Sequence, residues 1–324
     1  MKQKKTAKII AAAGTLATAA GAIWGLNFLH KLAAARRAPD LKMLKIEESD
    51  FFLGNEQFID EVNAGKQWLR ETPHEDVSIT SFDGFKLVGH LYLSDNAKRT
   101  VIMFHGFRSN WPRDFGFAAR EFYEVGCNLL IIVQRAHGNS EGDYITYGVF
   151  ERFDCRDWAQ YAAQRFGKLP IYLDGISMGA ATVLMASALP LPDTVKGIIA
   201  DCGYTTPKAI ISRVFQQKSP IPSKGIVSAV SAYSKFAAGY DFDDYSTLDA
   251  MRVNTRPVFF AHGDADDFVP MEMTLENYEA CIAPKTLFIA HGATHGLSYL
   301  VQHDAYYNEI MEFFEKYDNA PAGK

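Results

Sequence analysis

The chain has 324 residues, 48% hydrophobic and 22% charged, with 33 basic residues against 38 acidic ones and a net charge of −5. This length suits one large α/β domain with additions, and the composition is that of an ordinary globular protein. The acidic balance argues against nucleic acid as a main partner, which needs a basic face. No internal repeat, low-complexity tract or Gly/Ser linker divides the chain.

Residues 1–8 carry four lysines, and Ile9 to Leu29 then run without a charge. That stretch is long enough to span a bilayer as a helix. A basic start before an apolar run also resembles a signal peptide, but the run exceeds a normal h-region. We therefore expect residues 1–31 to be an uncleaved membrane anchor, with residues 9–29 in the lipid. The alternatives are a cleaved signal and an Ala-rich soluble helix. Lys31, Arg36 and Arg37 beyond the run blunt the positive-inside argument. The expected location is the cell membrane, with the bulk of the chain extracytoplasmic.

Residues 32–75 read as a helical connector, with helical spacing in FIDEVNAGKQWLRET, and residues 76–324 read as the main domain. VSITSFDGFKLVGHLYL predicts two strands about an Asp83-Gly84 turn. Short buried strands follow at TVIMF (100–104), NLLIIVQ (128–134), IYLD, KGIIAD (196–201), PVFFA (257–261) and KTLFIA (285–290). Amphipathic helices separate several of them, two ending at Gly126 and Gly167. Strands alternating with helices imply a mostly parallel sheet covered on both faces. Residues 204–251 break the alternation with helical patches and no strand, and read as a cap over the strand ends, where such sheets place their sites. Cys127, Cys155, Cys202 and Cys281 lack zinc-ligand spacing and are expected to be buried free thiols.

The stretch IYLDGISMGAAT (171–182) ends a strand in Gly175-Ile176-Ser177-Met178-Gly179. This G-x-S-x-G pattern fits a nucleophile elbow, a sharp strand-to-helix turn that exposes a strained serine. The pattern alone is weak; its place between a strand and a helix makes it informative. A serine hydroxyl is a poor nucleophile without a base, so an acid and a histidine should follow in that order. FFAHGDADDFVP and FIAHGATHGLSY supply them, each just past a buried strand.

With these three motifs the chain resembles the α/β-hydrolase superfamily over about residues 77–318, in an esterase-like or peptidase-like branch. The resemblance implies an eight-stranded, mostly parallel sheet with helices on both faces and a small helical cap. The H-G-x-x-D-x-x-V-P pattern of many members selects Asp266, with Asp264 and Asp267 as runners-up. Members place the histidine before a glycine in the loop after the last strand; His295-Gly296 and His291-Gly292 both match, and His295 is preferred because His291 abuts the strand end with less freedom to reach the serine. The other seven histidines read as turn, surface or core residues. The resemblance further implies an oxyanion hole from the backbone N–H groups of Met178 and of Phe107 in HGFRSN. QRAHGNSEG (134–142) departs from a loop common in the superfamily, with Val133 and Ala136 where aspartate and glycine are usual, and Arg135 reads as structural. The substrate pocket is expected to draw on Phe107, Trp111, Tyr204 and cap side chains including Phe215, Ile221, Val227, Tyr233 and Phe236.

The implied function is a serine hydrolase that cleaves an ester, thioester or amide in a small-molecule or peptide acyl substrate. Ser177 attacks, His295 moves the proton and Asp266 orients the imidazole. Neither cofactor nor metal is expected. The alternative is an inactive, membrane-tethered interaction protein on the same fold. Retention of all three residues at the expected strand ends favours the enzyme.

Overall fold

A computed structural model describes residues 21–37 and 56–320 of the chain. Residues 21–34 are helical (α1) and Ile59–Glu71 forms α2. The main domain then runs β1 (Glu75–Thr80), β2 (Lys86–Tyr92), β3 (Arg99–Phe104), α3 (Trp111–Glu124), β4 (Cys127–Val133), α4 (Glu151–Phe166), β5 (Ile171–Ile176), α5 (Met178–Ala186) and β6 (Val195–Asp201). Three helices follow, α6 (Pro207–Lys218), α7 (Ser223–Ala238) and α8 (Thr247–Met251). The chain closes with β7 (Val258–Gly263), α9 (Met271–Ala280), β8 (Lys285–Ala290), α10 (Ser298–Val301) and α11 (His303–Tyr317).

The eight strands form one sheet in the order β1-β2-β4-β3-β5-β6-β7-β8. β2 is antiparallel to β1 and β4, and the remaining pairs are parallel. Every residue of β3 and of β4 is buried, as parallel strands covered on both faces require. Side chains alternate between the faces with period two. Leu130, Ile132, Leu173 and Phe260 pack with Trp158 of α4 and Val183 and Leu184 of α5. Leu129, Ile131, Tyr172 and Phe259 pack on the other face with Phe115 of α3 and Phe313 and Phe314 of α11. From β3 the chain passes to β4 on one side, and β5 lies on the other. This reversal opens a crevice at the carboxyl ends of the strands.

The segment between β6 and β7 consists of α6, α7 and α8, with no strand. Ile210 and Val214 of α6 pack with Met178, Phe268 and Val269, beside the strand ends. Val227 and Val230 of α7 pack instead with Val149, Tyr240 and Phe242 and with Leu26 and Leu29 of α1. Full burial of such side chains is worth about 1.5–3 kcal/mol each.

Of the expected membrane span, residues 9–20 lie outside the described residues. Its remainder begins α1, and Leu26 and Leu29 place their apolar surface on protein. No helix among the described residues is long and apolar enough to cross a membrane. Residues 38–55 of the expected connector also lie outside the described residues. All four cysteines are buried and unpaired.

Candidate active site

Ser177 stands between β5 and α5 with φ 57° and ψ −114°. This is a costly conformation for a residue with a Cβ, and it holds the hydroxyl at the strand ends. The two flanking glycines permit it. A Cβ on Gly175 would lie 2.3 Å from the Gly179 carbonyl group, and one on Gly179 would lie 1.7 Å from the Phe104 carbonyl oxygen. The elbow is thereby pressed against β3 with no room for side chains.

Asp266 and His295 arrive from the turns after β7 and β8. Ser177 Oγ lies 2.9 Å from His295 Nε2, and His295 Nδ1 lies 2.7 Å from Asp266 Oδ2. A carboxylate only accepts, so Nδ1 carries the ring proton and Nε2 is free to accept from Ser177. Asp266 Oδ1 accepts the N–H groups of Phe268 and Val269, each at 2.9 Å. Burial alone would raise this carboxyl. The adjacent His295, with hydrogen bonds from His262 and His295, offsets that and holds it well below the usual carboxylate range. Burial alone would likewise lower His295, but Asp266 more than compensates and its pKa is raised above the ordinary 6.5.

The loop after β3 is fastened at several points. Gly106 N–H donates to Asp114 Oδ2 at 2.7 Å, and the Ser109 hydroxyl donates to Asp114 Oδ1. Asp114 is buried, which would raise it, yet Arg113 and these hydrogen bonds keep its pKa lowered. Arg108 N–H donates to His137 Nε2 at 3.0 Å, while His137 Nδ1 donates to the Arg135 carbonyl at 2.8 Å. Burial and the nearby His105 push His137 down to about 3, so it stays neutral and can accept. Phe107 lies in this loop, its ring stacked on Tyr147 at 5.1 Å. Met178 opens α5, so its N–H has no intrahelical acceptor.

Gly106, Phe107, Arg113, Asp114, Phe117, Ile176, Ser177, Phe268, His295, Gly296 and Leu297 line a cleft of about 570 Å³, its open mouth included. Trp111 and Tyr204, expected at the substrate, do not line it. Trp111 rests against His90 with ring centres 4.5 Å apart. Tyr204 is buried and donates to the Tyr147 carbonyl at 3.0 Å. The cap side chains expected in the pocket are also elsewhere. Ile221 and Phe236 are exposed, Phe215 and Val227 pack with Tyr240 and Phe242, and Tyr233 donates to Asn27 Oδ1 at 3.2 Å. The first half of α3, through Arg113, Asp114 and Phe117, and the turn at His295 to Leu297 do the lining instead.

Asp264 pairs with His291 at 2.8 Å on the surface, and the Asp267 carbonyl accepts from Gln217 at 2.7 Å. Neither acid joins the chain from Asp266 to Ser177. Arg135 is held by Asp154 at 2.6 Å and Asp83 at 2.8 Å, as a structural residue would be. Asp114, His137 and His262 contribute more than sequence reading assigned them. His262 had a usable signal, standing four residues before Asp266 in the same motif.

A family model described as serine aminopeptidase, S33, matches residues 95–245. The uncharacterized protein YqkD of Bacillus subtilis is 26% identical over 97% of this chain and 99% of that one. Among solved structures, the α/β hydrolase GrgF from Penicillium superposes with a TM-score of 0.61 at 20% identity, over 76% of this chain and 100% of that one. The chain has the α/β-hydrolase fold. The Pyrococcus furiosus esterase Pf2001 shares this fold with a TM-score of 0.62 at 23% identity, over 78% of this chain and 93% of that one. Ser177, Asp266 and His295 follow β5, β7 and β8 of this sheet, in the chain order serine, acid, histidine.

Proposed function

We propose that the protein is a serine hydrolase acting on an ester, thioester or amide through an acyl-enzyme on Ser177. The observation that carries this reading is the unbroken hydrogen-bonded chain from Asp266 through His295 to Ser177 Oγ, at 2.7 and 2.9 Å. In the first step Ser177 Oγ attacks the carbonyl carbon and its proton passes to His295 Nε2. The carbonyl oxygen becomes an oxyanion held by the N–H groups of Met178 and Phe107. Collapse of the intermediate breaks the bond to the leaving group, which takes the proton from His295. Water, deprotonated by His295, then attacks the acyl carbon; Ser177 leaves and regains its proton. Asp266 stays ionised and supports the imidazolium throughout.

Phe117, Ile176, Phe268 and Leu297 line the cleft, which favours an apolar group beside the reacting carbonyl. The esterase among the structural neighbours points the same way, while the S33 match keeps aminoacyl amides as candidates. A fluorophosphonate probe tests the chemistry. It should label Ser177 and fail on Ser177→Ala, with the circular dichroism spectrum and melting temperature near the parent's. Labelling that survives the substitution removes the assignment, and a folded parent that never labels favours the inactive interaction protein. A panel of acyl esters of graded length beside aminoacyl amides then identifies the substrate class.

The proposed attachment to a membrane rests on the sequence of residues 9–29 alone. Fractionation of cells expressing the full chain, beside a chain lacking residues 1–20, tests it. Recovery of both chains in the same fraction would remove it.

A further inference from the structure

Three ligating side chains meet on the sheet edge formed by β1 and β2, separated from β5 by β4 and β3. Asp76 and His90 are Cα partners across the antiparallel β1–β2 pair, so their side chains leave the same face. His74 stands just before β1. Asp76 Oδ1 lies 2.7 Å from His90 Nδ1 and 3.8 Å from His74 Nε2. The three ligand atoms all lie within 4.8 Å of one another.

The tautomer of His74 is informative. Its Nδ1 lies 3.1 Å from the Thr72 carbonyl oxygen. A carbonyl only accepts, so Nδ1 carries the proton, and in the neutral ring Nε2 turns a lone pair towards Asp76. A lone pair and a carboxylate oxygen then face each other with no hydrogen between them. A cation placed there satisfies both. An outer hydrogen bond from the other ring nitrogen to a carbonyl is also the usual support of a ligating histidine.

We propose that His74 Nε2, Asp76 Oδ1 and His90 Nδ1 bind one divalent transition metal of the zinc class, with water completing the coordination. Zinc bonds of about 2.0–2.2 Å put neighbouring ligand atoms of a tetrahedron roughly 3.4 Å apart. The separations of 2.7 and 3.8 Å bracket that value at the exposed Asp76 side chain, which is free to rotate, and the two histidine nitrogens lie within 4.8 Å of each other, within reach of side-chain adjustment. Binding displaces the proton that His90 shares with Asp76. Two imidazoles select zinc, copper or nickel over magnesium, which prefers oxygen. The rings of Trp111, 4.5 Å from His90, and of Tyr92, 4.9 Å from His74, back the site. The bound ion would tie the segment after α2 to β2.

The test is calorimetric titration of the untagged full chain with zinc chloride after chelator treatment, together with melting curves. One zinc per chain is expected, with a melting temperature raised by zinc and unmoved by magnesium. Asp76→Asn and His74→Ala should each weaken binding by roughly tenfold or more, remove the zinc-dependent rise in melting, and leave probe labelling of Ser177 intact. Cys202, Asp266 and His295 also bring potential ligand atoms together, so His295→Ala serves as the control and should still bind one zinc. The proposal is overturned if the parent binds no zinc, if both edge variants bind like the parent, or if binding is lost in His295→Ala.

Discussion

His262 Nε2 stands 3.2 Å from Asp266 Oδ2, the same oxygen that holds His295. Its Nε2 also reaches the Val269 carbonyl at 2.9 Å, and its Nδ1 lies 2.7 Å from Thr274 Oγ1. The ring is fully buried, so it fixes the carboxylate from inside the protein. His262→Ala should cost about 1–3 kcal/mol of stability through the polar groups left unpaired. It should also lower kcat with a smaller change in KM. Denaturant unfolding and steady-state kinetics check this; unchanged kcat would reduce His262 to a packing residue.

The raised pKa of His295 has a direct kinetic consequence. Only the neutral imidazole can take the Ser177 proton. Activity should therefore fall as pH drops through the folded-state value, which lies above 6.5. Asp266→Asn removes the charge that raises it, so the acid limb should move to lower pH while kcat falls about 10⁴-fold. A pH profile of kcat/KM on both proteins decides this. An acid limb that stays in place would show that another group titrates.

The two histidines after β8 should behave differently. His291 pairs with Asp264 at the exposed surface, where water screens the contact. His291→Ala should leave kcat within a few fold, while His295→Ala should lower it by several orders of magnitude. Exchanged results would transfer the base to His291.

Phe117 and Leu297 line the cleft, whereas Phe236 of α7 points to solvent. Phe117→Ala should shift the preference among acyl chain lengths, at about 1–3 kcal/mol per methylene. Phe236→Ala should leave that preference unchanged. The same ester panel measures both, and a shift at Phe236 alone would restore the cap to the pocket.

Asp174 of β5 lies buried near Asp201, and burial first, then the Asp201 charge, pushes its pKa up to about 8. The folded state keeps a proton there that the unfolded chain releases near pH 4. Stability should therefore fall as pH rises from about 4 towards about 8, by at most about 1.4 kcal/mol per pH unit. Asp174→Asn should flatten that decline. Melting temperatures across this range check it, and parallel curves for the two proteins would contradict it.

The strand runs, their order along the chain and the glycine-flanked serine were legible from local pattern. A buried parallel strand is a short apolar run whatever surrounds it, and Gly175 and Gly179 mark a turn that a Cβ would obstruct. Asp266 and His295 were singled out by the resemblance of their turns to superfamily patterns, after the order serine, acid, histidine had directed attention to the turns past two buried strands.

Which residues face the cleft was decided by tertiary structure. TVIMF and NLLIIVQ say nothing of their neighbours, yet the placement of β3 beside β5 sets the Phe107 loop against Ser177. The composition of the segment between β6 and β7 marks it as apolar, but not which surface receives it. Phe215 of α6 packs with Tyr240 and Phe242, the contact of α7 with α1 carries Tyr233 away from the cleft, and Phe236 is left exposed. His74, Asp76 and His90 likewise have no motif spacing, and the pairing of β1 with β2 joins two of them. Sequence period fixes which face of an element is apolar; the partner of that face is set by the lowest-energy packing of the whole chain, and side-chain neighbours across the sheet follow from it.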